Sequence, residues 1–490
     1  MLNLRIGYNT KTMKRLYLIS LLLFTSAFFS MAKVELPQLF SDNMVLQQKS
    51  EVAVWGKAEP GKKVVITNGW SKDKVTVTAD SEGRWTARIT TPEAGGPYEM
   101  TFNDGDKVVL KNILIGEVWI CSGQSNMEMV MTGYDGQPVD GAADMIMTAR
   151  PEVPIRSCNV RRVLALEPAE TCKATWYEHT PEGVAKASAT AYMFAHKLYD
   201  ILRIPVGIIN VSWGGSRIEA WMSEELLKKE FAGEISMSHI DERVMPKKNA
   251  FKTACVLYNG MLHPVAPYTA KGFIWYQGCS NRHNPEQYFR LQPAFVKMLR
   301  QEWGSEDMGF YFTQIAPYDY PGDKTGRAGA EIMWAQARTL KVIPKSAMAT
   351  TLDTGERYCI HPSDKKTVGD RLAYLVASKD YGMNVIDVFP PVYKSFEVKG
   401  SEAHVLFDVN DKGLNPINTD LEGFELAGKD GVYHPAVGRV YSSDRRIVCV
   451  SCPEVKEPVA VRYAMRNWSV ASIFNYAGIP ASPFKAELPQ

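Results

Sequence analysis

The chain has 490 residues, more than one ordinary hydrophobic core holds, so two or three domains are expected. Hydrophobic residues make up 45% of it and charged residues 22%, a globular composition without the clustered Lys and Arg of a nucleic-acid surface. Residues 1–32 hold four bases and no acid, which leaves 52 bases against 54 acids in the remainder. These counts argue against nucleic acid as a partner and favour a neutral or mildly acidic small molecule or glycan.

The amino-terminal segment is typical of an export signal. Basic residues Lys14 and Arg15 precede an apolar run from Leu16 to Phe29, and small residues follow up to Ala32. The run is shorter than the roughly 20 residues that cross a bilayer. We therefore predict a signal peptide over residues 1–32, no membrane span, and a periplasmic or secreted protein.

Residues 33–110 are predicted to form a β-sandwich. Alternating runs such as EVAVWG, KVVIT and RWTARIT recur about every ten residues between turn segments such as EPGK and DSEG, a spacing typical of antiparallel sandwiches. Alternation returns near Pro391, in AHVLFDV, RIVCVS and VAVRYAM. A second all-β region is therefore predicted over residues 391–490.

Between these regions, residues 111–390 show a different pattern. Near-continuous apolar runs (ILIGEVWICSG, VGIINVSWGG, GFIWYQG and MGFYFTQIAPY) alternate with helical stretches over residues 185–202, 285–303 and 363–377. Strands of this kind are buried on both faces, as in a parallel sheet covered by helices. The pattern predicts an α/β domain in which chemistry gathers at the carboxyl ends of the strands.

Ser125 lies at such a strand end, in the stretch GEVWICSGQSNMEM. Gly123 permits the turn that would expose the serine hydroxyl, although Ser125 could simply cap the next helix. Three more strand ends carry polar clusters: SWGGSRIEAW, IWYQGCSN and DTGERYCIHPSDKKTVGDRLA. Four such clusters favour a nucleophile over a cap.

These four blocks, in this order, resemble those of the sialate O-acetylesterases and related acetylxylan esterases of the SGNH hydrolase superfamily. FSDNMVLQQ near the start and LEGFELAGKDG near the end resemble the same family, so the likeness covers nearly the whole chain after the leader. The resemblance implies an SGNH-type (flavodoxin-like) three-layer α/β/α hydrolase domain flanked by two β-sandwich-like regions. It also implies hydrolysis of acetyl esters on sugars by a serine, without metal or cofactor.

The resemblance assigns roles at the site. His361 matches the family's catalytic histidine and would be the base that activates Ser125. The oxyanion hole would combine the backbone amides of Ser125 and of Gly214 or Gly215 with one side-chain amide. That side chain is Gln277 or Asn281, between which the spacing does not choose.

Two positions depart from the family pattern. Relatives commonly carry DIHP and QGESN, whereas Cys359 and Cys279 replace the two acids here. We predict that Glu356, or else Asp353, orients His361 instead. The alternative is a dyad that uses no acid.

Substrate contacts are predicted beside these blocks. Gln124, Trp213 and Trp275 are candidates for sugar binding, although aromatic residues at strand ends more often belong to the core. Arg217 could meet a sialate carboxylate in a bidentate fork, or could pair with Glu219. O-acetylated sialic acid is the expected substrate, and acetylated xylan or another glycan comes next.

Two further questions remain at this stage. A catalytically weakened glycan-binding protein on a hydrolase scaffold is the alternative function, because two acids of the family are missing. The sequence leaves the oligomeric state open. The eight cysteines are scattered, and the pair in CVSC lacks the second pair of ligands that a structural zinc site needs, so we predict buried or loosely paired thiols.

Overall fold

The computed structural model describes residues 33–489, so the predicted signal peptide lies outside the described residues. Within that range no helix is both long and apolar enough to cross a membrane. Three regions follow one another along the chain: a β region, a mixed α/β domain and a second β region.

The first β region places strands where the alternating runs predicted them. Strands β2 and β5 form one antiparallel ladder, and β4, β3, β6 and the start of β7 form the facing sheet, with β1 parallel to β7. Side chains of β5 alternate strictly between exposed and buried, which puts Trp85 against Phe102 in the core. The strands are β1 (Val45–Gln47), β2 (Glu51–Lys57), β3 (Lys63–Asn68), β4 (Lys74–Thr78), β5 (Arg84–Thr90), β6 (Gly95–Asn103) and β7 (Lys107–Gly123).

Strand β7 is shared by two regions. Its first part pairs antiparallel with β6, where Leu110 lies opposite Met100, and its second part enters the sheet of the α/β domain. Burial changes accordingly, from mixed near Lys107 to continuous from residue 113 onward. The boundary predicted between residues 110 and 111 thus falls inside one unbroken strand, β7, which connects the β region directly to the turn that carries Ser125.

The central sheet has the order β13-β12-β11-β7-β10-β8-β9 and is parallel except for β9. Its further strands are β8 (Ile155–Val160), β9 (Ala174–Tyr177), β10 (Val206–Ser212), β11 (Gly272–Tyr276), β12 (Gly309–Thr313) and β13 (Ser346–Ala349). All residues of β10, β11, β12 and β13 are buried, as expected for strands covered on both faces.

Helices cover both faces of this sheet. The helices are α1 (Ser125–Glu128), α2 (Ala142–Met147), α3 (Pro181–Lys186), α4 (Ala189–Leu202), α5 (Glu224–Glu230), α6 (Ser238–Asp241), α7 (Pro285–Glu302), α8 (Ala328–Thr339) and α9 (Lys365–Tyr381). Helices α4 and α9 pack together on one face, and α7 and α8 on the other. The predicted three-layer α/β/α architecture is confirmed.

The helix predicted over residues 185–202 is interrupted. Ser188 has a non-helical backbone (φ −54°, ψ 126°), its hydroxyl accepts the Ala191 N–H at the start of α4, and the same hydroxyl donates to the Met127 carbonyl. Serine is a favoured N-cap, so the second helix begins anew at this residue. The cap also ties α4 to the turn that carries Ser125.

The second β region is built around one antiparallel sheet of order β14-β15-β19-β18-β17-β20-β22, with β16 and β21 paired beside it. Its strands are β14 (Val392–Lys399), β15 (Glu402–Asp408), β16 (Leu414–Asn415), β17 (Leu421–Ala427), β18 (Tyr433–Val440), β19 (Ile447–Ser451), β20 (Ala460–Tyr463), β21 (Phe474–Asn475) and β22 (Phe484–Glu487). Phe424, Tyr463 and Phe484 pack in its core. Asn467 accepts the Gly329 N–H at the start of α8, which fixes the region to the α/β domain.

Candidate active site

The turn after β7 presents Ser125 at the carboxyl ends of the strands of the central sheet. Gly123 has φ +144°, and a Cβ there would lie 2.2 Å from the Tyr276 carbonyl oxygen of β11. Only glycine fits that conformation and that close approach. Gln124, not Ser125, occupies the cap position of α1. The simple helix-cap interpretation of Ser125 is therefore wrong.

Ser125 and His361 form a hydrogen-bonded pair. The Ser125 hydroxyl donates to His361 Nε2 over 2.7 Å. Burial, together with the charge of Lys365, lowers the pKa of His361 to about 4. The imidazole is therefore neutral at neutral pH and is able to accept the serine proton. This contact confirms that the fold brings together two residues 236 positions apart in the sequence.

The opposite ring nitrogen of His361 meets an amide and not an acid. His361 Nδ1 donates to the side-chain carbonyl oxygen of Gln137 over 2.6 Å. The Tyr134 ring packs edge-on against the imidazole, with 5.2 Å between the ring centroids. Both residues belong to a short hairpin that follows α1.

Asn126, next to the nucleophile, holds the loop that carries the histidine. Its side-chain amide donates to the Ile360 carbonyl over 3.0 Å and accepts from the Lys365 ammonium over 2.8 Å. Its own carbonyl accepts from Thr190 at the start of α4. The nucleophile turn and the histidine loop are therefore fixed to each other by one buried side chain.

Lys365 is an unusual buried cation. Its side chain is 1% exposed and donates to Asn126 and to the Pro362 carbonyl, and no carboxylate oxygen of residues 33–489 lies within ion-pair distance. Burial lowers the pKa of the Lys365 ammonium to about 8. At neutral pH this residue places a positive charge near His361 and opposes protonation of the ring.

The structure contradicts the predicted orienting acids. Glu356 accepts the Ser363 N–H over 2.6 Å at the approach to α9, and Asp353 forms two 2.6 Å contacts with the Arg371 guanidinium. The Cys359 thiol donates to the carbonyl of His361 and not to its ring. The predictions for Glu356 and Asp353 are wrong because both carboxylates are used by neighbouring donors. Among residues 33–489 no acid contacts the imidazole.

Backbone donors for an oxyanion are present beside the nucleophile. The N–H groups of Ser125 and Gly215 have no hydrogen-bond partner in the described range, whereas the Gly214 N–H donates to a Glu128 carboxylate oxygen over 2.8 Å. A Cβ at Gly214 would lie 3.3 Å from the Ser125 Cβ. Ser125 and Gly215 therefore remain candidates for the hole, while the Gly214 amide is already engaged.

The geometry separates the two amide candidates. Gln277 is fully buried, and its Nε2 donates both hydrogens, one to the Ser216 carbonyl and one to Asn281 Oδ1. Asn281 Nδ2 donates one hydrogen to Glu219, and its second hydrogen has no partner among the described residues. The prediction for Gln277 is wrong, and Asn281 is the side chain with a free donor.

The predicted substrate contacts have different outcomes. Trp275 is 1% exposed and packs on Trp221 and Phe295, so it belongs to the core and its predicted role is wrong. Gln124 is likewise buried, and its side-chain oxygen accepts the Gly278 N–H at the end of β11, which leaves little surface for a sugar.

Trp213 and Arg217 remain at the surface. Trp213 is partly exposed, but its ring stacks on Phe251 at 11° and lies under the Arg162 guanidinium. Arg217 has a half-exposed side chain 3.7 Å from Glu219, so the predicted ion pair forms without covering the guanidinium. A ligand can reach both residues.

Sequence reasoning missed Gln137, Asn126 and Lys365. Asp135-Gly136 is a strong hairpin signal, but nothing local shows that the residue after it reaches a histidine 224 positions away. Asn126 follows the nucleophile directly and could have been singled out. Nothing in the sequence distinguishes Lys365 from its neighbour Lys366.

Comparison with known proteins finds similarity to carbohydrate esterases. The family described as "Carbohydrate esterase, sialic acid-specific acetylesterase" matches residues 115–377, which include Ser125, Gln137 and His361. Mouse sialate O-acetylesterase is 27% identical over an alignment of 520 positions that covers 92% of this chain and 94% of that protein. Human sialate O-acetylesterase is 29% identical over 392 positions, 73% of each chain.

A solved structure extends the similarity to the whole fold. A carbohydrate acetylesterase from Xanthomonas citri superposes with a TM-score of 0.84 at 30% sequence identity. The match covers 93% of this chain and all of the other. The likeness therefore includes both β regions as well as the α/β domain.

Proposed function

Because the chain belongs to the carbohydrate esterase family of sialic acid-specific acetylesterases, we propose that it removes O-acetyl groups from sugars through an acyl-enzyme on Ser125. Family membership makes it a carboxylic ester hydrolase. The observation that supports the serine mechanism is the 2.7 Å hydrogen bond from the Ser125 hydroxyl to His361 Nε2. A serine hydroxyl needs such a base to become nucleophilic.

The first half-reaction acetylates the enzyme. Ser125 Oγ attacks the acetyl carbonyl carbon as its proton passes to His361 Nε2. The oxyanion accepts hydrogen bonds from the free backbone N–H groups of Ser125 and Gly215 and from the second Nδ2 hydrogen of Asn281. The tetrahedral intermediate collapses, and the imidazolium returns the proton to the departing sugar oxygen.

The second half-reaction repeats these steps with water. His361 takes a proton from water as the hydroxyl oxygen attacks the acetyl-serine carbonyl. Collapse breaks the bond to Ser125 Oγ, the imidazolium reprotonates that oxygen, and the product leaves as acetic acid, which ionises to acetate by losing its proton to solvent. The neutral imidazole required at the start of each half-reaction is favoured by the lowered pKa of His361.

O-acetylated sialic acid is the first substrate to consider. The mouse and human relatives are named sialate O-acetylesterases. The half-exposed guanidinium of Arg217 suits the carboxylate of a sialic acid. Acetylated xylan, a neutral polymer, is the second candidate and would not use that charge.

We also propose that the protein is exported to the periplasm or secreted. The proposal rests on the basic and apolar pattern of residues 13–32. An acetylated glycan outside the cytoplasm would then be within reach of the enzyme.

Acetate release after substitution of the nucleophile tests the mechanism. Ser125→Ala should lower kcat on an aryl acetate by about 10⁴-fold or more, because removing a nucleophile leaves only binding and oxyanion stabilisation. Ser305→Ala, at an exposed serine whose hydroxyl has no partner within residues 33–489, is the matched control and should keep full activity. Full activity in Ser125→Ala would refute the serine mechanism.

The choice of substrate needs a separate comparison. Wild-type protein is offered O-acetylated sialic acid and acetylated xylan, and Arg217→Gln is assayed on both. A loss confined to the sialate ester supports sialic acid as the substrate. If folded wild-type protein releases no acetate from any acetylated glycan, the glycan-binding alternative replaces the enzyme.

A further inference from the structure

We propose that Gln137 is the positioning residue of this site, a neutral amide that orients His361 without a carboxylate. The inference rests on the proposed serine mechanism and goes beyond it, since it concerns how the base is held. It also identifies a partner for His361 Nδ1, which neither Glu356 nor Asp353 supplies.

The hydrogen bonds of the ring determine its tautomer. A carbonyl oxygen can only accept, so the 2.6 Å contact with Gln137 Oε1 places the imidazole hydrogen on Nδ1. Nε2 then carries the lone pair that accepts the Ser125 hydroxyl over 2.7 Å. Both contacts are short, and together they set the tautomer and the ring plane that proton transfer requires.

The hairpin of Tyr134–Gln137 fixes the amide against the site. Tyr134 and Gln137 exchange backbone hydrogen bonds of 3.0 and 2.9 Å around Gly136, whose φ is +69°. Gly133 before the hairpin has φ +79°, and a Cβ there would lie 2.4 Å from the Gln137 carbonyl oxygen. This backbone leaves Gln137 little freedom to move away from the ring.

Tyr134 ties the hairpin to the nucleophile. Its hydroxyl donates to the Ser125 carbonyl over 3.3 Å while its ring packs edge-on against His361. One turn of the chain therefore supplies a wall for the imidazole, an acceptor for its Nδ1 hydrogen and a contact to the nucleophile. Such convergence indicates a positioning device and not a chance contact.

The charges around His361 favour the neutral imidazole, as does the uncharged amide of Gln137. The buried ammonium of Lys365 lies under the histidine loop, so an imidazolium here gains no counter-ion and meets a like charge. The other ionisable groups on the hairpin, on the histidine loop and beside the nucleophile are Glu128, Tyr134, Asp135, Asp140, Arg162, Asp353, Glu356, Arg357, Tyr358, Cys359 and Asp364. Of these only Tyr134 contacts the imidazole. Without an acid on Nδ1 the base stays neutral to low pH, and the enzyme keeps its activity in mildly acidic solution.

Two substitutions of Gln137 have different expected effects: one lowers kcat, and the other shifts the pH dependence of kcat/KM. Gln137→Leu removes the acceptor, and kcat on an aryl acetate should fall about 10²- to 10⁴-fold with KM within a factor of about three, because the ring loses its tautomer and orientation. Gln137→Glu keeps an acceptor and adds a charge that stabilises imidazolium. The acid limb of kcat/KM should then move up by about 1–2 pH units, with most of kcat retained.

A control variant distinguishes the effect of a carboxylate in contact with His361 from that of a nearby negative charge that does not touch the ring. Thr132→Glu places a new carboxylate at an exposed position of the same loop without touching His361. Its acid limb should move by less than about 0.3 pH units, since exposed charges are screened. Circular dichroism and thermal melts establish that each variant is folded.

The outcomes distinguish this inference from the proposed function. If Ser125→Ala abolishes hydrolysis but Gln137→Leu keeps kcat within threefold, or Gln137→Glu leaves the acid limb unmoved, then Gln137 is not the positioning residue. If wild-type protein shows no hydrolysis, NMR titration of ¹³Cε1-labelled histidine still reports the protonation of His361. A rise in its midpoint in Gln137→Glu, absent from Thr132→Glu, supports the contact, and equal midpoints overturn it.

Discussion

The two halves of the catalytic pair are held in different ways. Ser125 stands at the end of β7, and its place follows from the parallel sheet and from one glycine, Gly123. His361 stands in the loop between β13 and α9, and its place follows from side chains contributed by other elements: Asn126, Lys365 and Gln137. Backbone topology fixes the nucleophile, whereas side-chain contacts fix the base.

This difference explains where each half can vary. A backbone turn at a strand end accepts few substitutions, because neighbouring strands block any side chain. A histidine held by side chains can change its partner as long as some acceptor remains on Nδ1. In this chain that acceptor is the side-chain amide of Gln137, which comes from another loop.

The largest effect is expected where the backbone itself is changed. Gly123→Ala would place a Cβ 2.2 Å from the Tyr276 carbonyl oxygen and require φ +144°. We expect a loss of at least about 3 kcal/mol in the free energy of unfolding and loss of esterase activity. Urea unfolding and an aryl acetate assay measure both.

A glycine in open space serves as the control for that substitution. Gly322 also has positive φ, but no atom lies within 4 Å of its Cβ position. Gly322→Ala should cost only about 1 kcal/mol, the strain of the backbone alone. Equal losses in the two variants would mean that the close approach of β7 and β11 does not matter.

An intermediate effect is expected on the histidine side. Lys365→Met removes the buried positive charge that helps to lower the pKa of His361 to about 4. Since the base must be neutral, activity falls as pH drops through this pKa, and raising the pKa moves the acid limb to higher pH. We expect a shift of about 1 unit in a kcat/KM profile.

The neighbouring lysine offers a control for that shift. Lys366 is half-exposed and paired with Asp370, so Lys366→Met should leave the acid limb in place. An unchanged limb in Lys365→Met would show that desolvation alone sets the pKa of His361.

Most of the fold could be predicted from the sequence. Apolar runs in the central domain became fully buried parallel strands, and the alternating runs of the first region became antiparallel ones. These patterns are local and periodic, so they can be read without knowing any long-range contact. The break at Ser188 was missed because a serine inside a helical pattern fits either a cap or a surface position.

The site could be predicted only in part. Ser125 can be singled out because it follows a buried strand, and His361 because it lies in the fourth polar block and matches the family's catalytic histidine. Glu356 was chosen for closeness in sequence, but the nearest free donor, the Ser363 N–H, satisfies it. Gln137 carries no charge and lies in a hairpin outside the four polar blocks. The side chains that contact His361 are brought there by tertiary packing, and such contacts produce no periodic pattern in the sequence.

The smallest effect is expected at Glu356, where proximity in sequence misled. Its carboxylate accepts the Ser363 N–H over 2.6 Å, a bond that the side-chain oxygen of glutamine can also accept. Glu356→Gln should therefore keep kcat within about twofold and the free energy of unfolding within about 1 kcal/mol. The same pair of assays on Glu356→Ala, which lacks any acceptor, should show a stability loss of about 1–2 kcal/mol with the acid limb unchanged. A tenfold fall in kcat for Glu356→Gln would instead place this carboxylate on His361 during turnover, and the histidine side of the site would then use an acid after all.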